Sequence, residues 1–395
     1  MGRGHRLAAG AAAVLVLGLG APASAGAAQW RVQPGVDVGA VRDSNIRLTT
    51  GPHEDTRGYV AAADLEVGRE TPTSRADFEA TVVRSEYTSG EAQDRTEHRG
   101  SLDAEKRTSE RGTLGLRGEY RRDTLFASRI LDEGTGDIRD VDVGLSTETE
   151  VRRYYRVLQP SWHWLLSELS AVHLAYRHSD VDFAQAAATD LVNYESDLLS
   201  ATYSRRISAR DGFHVTAAAS RYRPEGDENE ADSLQLLAGM SREFSETTEG
   251  SFSLGAGRTE EKGMTRDERS TGLVATATLR QKGEVSNLEA ILSRDVTPSG
   301  IGRALQTDQL RVYWVRQLSP TTEFVLDLWW LQTEVVEGFD PDAERRYYEV
   351  NPSVRWRWLA NVAVVASYSY RYQKYASEAE SANGSAVFLG LSYRL

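Results

Sequence analysis

The chain has 395 residues, no cysteine and a formal net charge of −12. The acid excess argues against a nucleic-acid partner, which needs a basic footprint, and the missing thiols exclude disulfides and thiolate metal sites. Beyond the N-terminal leader no segment approaches 18 consecutive apolar residues, so helical membrane spans are not expected.

The leader begins Met1-Gly2-Arg3-Gly4-His5-Arg6, runs through an apolar stretch from 7 to 20 and reaches Ala23-Ser24-Ala25. A basic start, a short apolar core and a small-x-small site predict a secretory signal peptide over residues 1–25, with cleavage after Ala25 or Ala27. Its loss removes Arg3 and Arg6 and takes the charge from −12 to −14. Residues 26–395 are then expected to form one domain.

From Trp30 the chain alternates with period two. Trp30, Val32, Val36 and Val38 oppose Arg31, Gln33 and Asp37. Successive side chains of a strand point to opposite faces, so this is a strand with one apolar face. It stops at Arg42-Asp43-Ser44-Asn45, whose short polar side chains favour turns. A second strand over 57–69 puts Tyr59, Ala61, Ala63, Leu65 and Val67 on one face, and a third carries Ala76, Phe78, Ala80 and Val82. The fourth, near 101–107, has only Leu102 and Ala104, and the fifth uses Leu114, Leu116 and Tyr120. The acidic stretch 125–147 reads as an outer loop, long enough to fold inward.

Strands follow at about 148–164, 170–182, 194–207, 212–223, 232–244, 250–260, 269–281 and 285–296. The pattern is plainest over 307–358. Leu310, Val312 and Trp314 lead to a turn at 319–322. Phe324, Leu326, Leu328 and Trp330 follow, and after an acidic link at 334–344 come Tyr348, Val350, Pro352, Val354, Trp356 and Trp358. Strands at 361–373 and 385–395 bring the sum to about 18.

Short links of three to five residues alternate with longer ones, roughly eight or more, along the chain. Trp162, Trp164, Trp356 and Trp358 sit beside short turns, where an aromatic girdle meets lipid headgroups. Without helices, only a closed barrel satisfies every backbone group in lipid. The expected fold is therefore all-β, a transmembrane antiparallel up-and-down β-barrel of about 18 strands in the bacterial outer membrane, surrounded by outer-membrane lipid. The last segment, Val387 to Leu395, resembles the carboxy-terminal signal read by the barrel-assembly machinery. That signal usually ends in an aromatic residue, and Leu395 departs from it.

Three segments carry a family resemblance: Arg42-Asp43-Ser44-Asn45-Ile46-Arg47-Leu48, Tyr120-Arg121-Arg122-Asp123-Thr124-Leu125, and Ser293-Arg294-Asp295-Val296-Thr297-Pro298-Ser299-Gly300-Ile301-Gly302. They resemble the outer-membrane β-barrel porins associated with exopolysaccharide and exosortase (PEP-CTERM) systems. Where that family usually has an Asp-Asn pair preceded by an aromatic, this chain has Ser44-Asn45 after Val41-Arg42-Asp43. The resemblance implies an outer-membrane pore tied to surface-polysaccharide secretion, with polysaccharide or periplasmic secretion components as partners. It implies no catalytic residues and no cofactor.

An 18-stranded barrel leaves an aqueous channel lined by the face away from lipid. The pore-lining candidates are Arg117, Glu119 and Arg121; Arg153, Tyr155 and His163; Arg311 and Tyr313; and Glu349, Arg355, Arg357, Arg371 and Arg394. Strands two to four add Asp64, Glu66, Asp77, Glu79, Asp103 and Glu105. Opposed acidic and arginine-rich walls would set a transverse field that selects solutes, and Arg311 beside Tyr313 would suit anionic sugars. The bland alternative is that these charges only solvate and brace the wall.

The histidines show no Ser-His or His-x-x-x-His spacing, so no catalytic site is expected. The acidic loops Glu225-Gly226-Asp227-Glu228-Asn229-Glu230 and Asp340-Pro341-Asp342 lack the ligand order of an EF-hand, so no metal is expected either. Three readings stay open: a conducting pore, a non-conducting scaffold for a secretion assembly, and an outer-membrane hydrolase.

Overall fold

The computed structural model describes residues 28–90, 92–125, 150–184, 191–226, 230–262, 267–336 and 343–395. The expected signal peptide, nearly all of the 125–147 loop and the acidic Asp340-Pro341-Asp342 link lie outside the described residues.

Among the described residues eighteen strands follow one another. The first six are β1 (Gln29–Asp43), β2 (Thr56–Thr71), β3 (Ser74–Ser89), β4 (Arg95–Arg107), β5 (Gly112–Thr124) and β6 (Arg152–Ser167). Next come β7 (Ser170–Phe183), β8 (Tyr194–Arg206), β9 (Asp211–Pro224), β10 (Glu230–Glu243), β11 (Thr248–Lys262) and β12 (Asp267–Lys282). The last six are β13 (Ser286–Pro298), β14 (Ala304–Ser319), β15 (Thr322–Val335), β16 (Arg345–Leu359), β17 (Val362–Tyr375) and β18 (Ala382–Arg394).

Every strand pairs antiparallel with its sequence neighbours, and β1 pairs with both β2 and β18, Val38 standing between Ala61 and Leu391. The sheet is thus closed and has no open edge. Parity then sorts the side chains. On β10 and β11, Leu234 is 64% exposed, Leu236 60% and Phe252 52%, and on β18 Leu389 is 59% exposed, all on the outside of the barrel. A continuous apolar outer surface on a closed barrel is suited to lipid, not water.

The band has a border at each rim. Near the short turns Trp162 packs on Trp164 at 5.4 Å between ring centroids, and Trp314 meets Phe324 edge-on at 5.8 Å. Towards the loop rim, Tyr348 stacks on Tyr372 at 4.7 Å. There the outward face also turns polar: Arg156 bonds Asp180 and Asp182 at 2.6 and 2.9 Å, and Arg221 and Lys262 share Asp232 at 2.7 and 2.9 Å.

The strand count agrees with the sequence expectation, but strands reach further into the loop rim than periodicity indicates. β4 begins at Arg95, not near 101. Its outward Thr96 and His98 stand above the apolar band, where alternation carries no hydrophobic signal. For the same reason the links at 90–94, 225–229, 263–266 and 299–303 are shorter than the eight or more residues expected.

Candidate functional site

The β1–β2 link does not project outward but turns into the barrel. Asp43 begins it, and its Oδ1 accepts the Asn45 N–H at 3.0 Å, an Asx turn of the kind the sequence Asp-Ser-Asn favours. Arg371 on β17 donates from one guanidinium nitrogen to both Asp43 oxygens, at 2.7 and 2.6 Å. The Asn45 side chain donates to the carbonyls of Thr49 and Asn383, and its Oδ1 accepts the Thr49 N–H at 3.1 Å. Ser44 is tied to Ser385 through backbone and hydroxyl.

This stitching holds Leu48 at φ 52°, a left-handed conformation that costs a non-glycine residue about 1–2 kcal/mol. Burial against Trp329, Leu331, Tyr347 and Ala382 offsets that cost, with Trp329 and Tyr347 edge-on at 4.9 Å. Gly384 is required opposite, because a Cβ there would lie 2.9 Å from the Asn45 carbonyl oxygen. Arg47 extends from the loop to Glu150 at 3.7 Å, four strands away round the wall.

A second segment, 299–303, also folds inward. The Tyr222 hydroxyl donates to the Ser299 carbonyl and the Val192 N–H to the Gly300 carbonyl, each at 2.7 Å. Ile301 packs on a buried cluster of Val157, Val181, Phe183, Leu191, Tyr194 and Tyr222, so aromatic and aliphatic groups inside the barrel narrow its outer half. The motif segment Tyr120 to Leu125 supplies Asp123, bonded by Arg153 at 3.0 and 2.7 Å, and Leu125, which joins the same cluster. All three motifs that carry the resemblance therefore lie at this constriction.

Below it opens a cavity of about 410 Å³. Asp64, Glu66, Glu79, Arg117, Glu119, Arg121, Tyr313 and Arg355 line it, as do Asp37, Asp103 and Arg394. Asp77 and Glu105 line its continuation towards the short-turn rim, together with Arg31, Arg75 and His173. Arg357 also faces inward, beside Ala363 near the same rim.

The other nominated residues are engaged in the wall. Arg153 is buried against Asp123, and the buried Tyr155 hydroxyl accepts from Arg177 at 2.6 Å. Glu349 accepts from Tyr347 and Ser369 at 2.8 and 3.0 Å, and Arg371 is held by Asp43. Arg311, which the sequence offered together with Tyr313 as a group to hold anionic sugars, bonds Asp327 at 3.3 and 3.1 Å.

The charges are also distributed differently from the expected opposed walls. Arg394 reaches Asp37 at 2.8 Å and Asp64 at 3.2 Å, Arg117 stands 4.0 Å from Asp103, and Arg121 bonds Glu119. Basic groups thus interleave with acidic ones, because closure through β1 and β18 makes ends of the sequence neighbours in space. The inward face of β8 to β12 is instead rich in hydroxyls, among them Ser200, Thr202, Thr216, Ser253, Thr276 and Thr278, with Thr202 and Thr216 bonded at 2.9 Å.

Register brings together one pair the sequence spacing hid. Gly239 lies between His214 and Ser253 on adjoining strands, and having no side chain it lets His214 Nε2 meet Ser253 Oγ at 2.6 Å. A hydrolase would also need an orienting group on the other ring nitrogen and an oxyanion site. Among the described residues no carboxylate bonds that nitrogen, and the pair reads as a lumen hydrogen bond.

No known protein family matches the sequence, nor does any curated protein. Similar solved structures include Acinetobacter baumannii OccAB2, 10% identical over 93% of this chain and 98% of that one, with a TM-score of 0.46. Pseudomonas aeruginosa OccK9 (OpdG) is 12% identical over 93% and 99%, with a TM-score of 0.45. The siderophore receptor PirA from Pseudomonas aeruginosa is 8% identical over 92% and 80%, with a TM-score of 0.44. The likeness is one of barrel architecture and carries no argument about solute.

Proposed function

We propose that the chain is an outer-membrane pore that passes hydrophilic solutes through a constricted lumen. The observation that carries this is the charged cavity of about 410 Å³ inside a closed 18-stranded wall, under a β1–β2 loop bonded into the barrel. A barrel of this strand number is too wide to be filled by its own wall side chains. Short turns on one rim and longer links on the other give the orientation, turns in the periplasm and links outside. Purified protein in planar lipid bilayers is expected to give discrete conductance steps. Folded, heat-modifiable protein without steps would leave the scaffold reading in its place.

A finer reading is passage of an exported polysaccharide, assisted by periplasmic secretion components, after folding by the barrel-assembly machinery. Its support is that the three segments that resemble motifs of the polysaccharide-associated porins meet at the constriction rather than being scattered over the wall. Deleting the gene should reduce surface polysaccharide. An unchanged surface would remove this reading and leave a porin.

A further inference from the structure

We infer that the lumen is selective for cations, so that the solutes or polymer segments it passes are cationic or neutral and not acidic. The inference rests on the pore reading and names the solute class for that same cavity. Ten carboxylates and six guanidiniums line the cavity, and two of the ten, Asp43 and Asp327, are neutralised from the wall by Arg371 and Arg311, which leaves eight against six. Its continuation towards the short-turn rim adds Asp77 and Glu105 against Arg31 and Arg75 and leaves the negative surplus in place.

Four of the six guanidiniums are turned on carboxylates. Arg394 is shared by Asp37 and Asp64, Arg95 stands 3.4 Å from Glu97, Arg117 stands 4.0 Å from Asp103, and Arg121 bonds Glu119. The carboxylates cluster on β2 and β3, where Asp64, Glu66 and Glu79 share the inward face and Glu66 stands opposite Glu79.

Among the described residues, the wall across the lumen carries arginines only at its short-turn end, where Arg206, Arg210 and Arg280 lie among Asp211, Glu243 and Glu249. The facing positions of β8 to β12 are hydroxyls such as Ser200, Thr216, Ser253 and Thr276, which bind sugars and water without charge preference. Arg311, which would suit an acidic sugar, is held by Asp327. A negative surplus in a confined aqueous passage with low-dielectric walls concentrates cations and excludes anions. A chain of uronic acids would meet repulsion here, while an amino sugar or a neutral glycan would not.

The test is the reversal potential of single channels under a potassium chloride gradient. The expected sign is that of potassium preference, and Glu66→Gln with Glu79→Gln is expected to shift the potential towards zero. Glu66→Lys, should the double variant not fold, is expected to shift it further in the same direction. Steps with no preference, or with chloride preference, would overturn the inference and leave the pore standing. Absence of steps would count against the pore itself. Calorimetric titration of the folded protein in zwitterionic micelles with spermidine and with citrate then decides: tighter spermidine binding, weakened in the variant, upholds the inference, and equal or tighter citrate binding overturns it.

Discussion

Arg371 on β17 grips the carboxylate of Asp43 at the end of β1 with a single guanidinium nitrogen, 2.7 and 2.6 Å from its two oxygens, and both side chains are almost fully buried. The same nitrogen lies 3.3 Å from the Asn45 carbonyl, so one cation holds both the root of the inward loop and its first turn. Two residues 328 positions apart in sequence are thereby joined where the loop enters the lumen.

Removing one partner of this pair leaves a buried charge without compensation, which costs about 3–5 kcal/mol. Asp43→Ala and Arg371→Ala should each destabilise the loop, and the double variant should cost less than the two single effects added together. Protease sensitivity of the 44–55 link and mean channel conductance are both expected to rise in the single variants. Additive effects would mean that the pair is not coupled.

The second inward segment hangs on fewer bonds. Tyr222→Phe removes only the hydroxyl that reaches the Ser299 carbonyl, and the expected loss is about 1 kcal/mol. Ring packing with Tyr194 at 5.3 Å persists, so folding should be nearly unchanged. The measurable result is noisier or larger conductance, and identical single-channel traces would show that the 299–303 segment does not limit flow.

Inside and outside positions should respond oppositely to charge. Leu236→Arg places a cation on the lipid face of β10 and is expected to cost about 2–4 kcal/mol near the bilayer centre. Ser200→Arg, on the inward face of β8, should fold with little loss and change ion selectivity instead. Denaturant titration of the heat-modifiable form measures both.

The wall of the barrel was legible because lipid on one side and water on the other force a period of two, visible in Leu234, Leu236, Ala238 and Met240 against Ser233, Gln235, Leu237 and Gly239. Even here Leu237 breaks the rule, since the inward face need not be polar at every step. Strand ends above the apolar band were less legible, as β4 shows, because Thr96 and His98 alternate with nothing hydrophobic. The constriction was hidden for a different reason. Composition marks 42–48 as a turn, but whether the turn points out or in depends on Arg371 and Trp329, more than 280 residues away. Likewise the pairing of Arg394 with Asp64 and of His214 with Ser253 follows from closure and register, neither of which local spacing encodes.

The chain has no cysteine, so single cysteines can be placed on β9 one residue at a time. At 215, 217 and 219, where Val215, Ala217 and Ala219 face outward, a fluorescent label should be quenched by nitroxide lipids. At 216, 218 and 220, replacing Thr216, Ala218 and Ser220, the thiol should instead react with a water-soluble, membrane-impermeant reagent. A strict two-residue alternation between the two responses is the result expected of a wet-centred barrel in lipid. Uniform reactivity along the strand, or the opposite alternation, would contradict it.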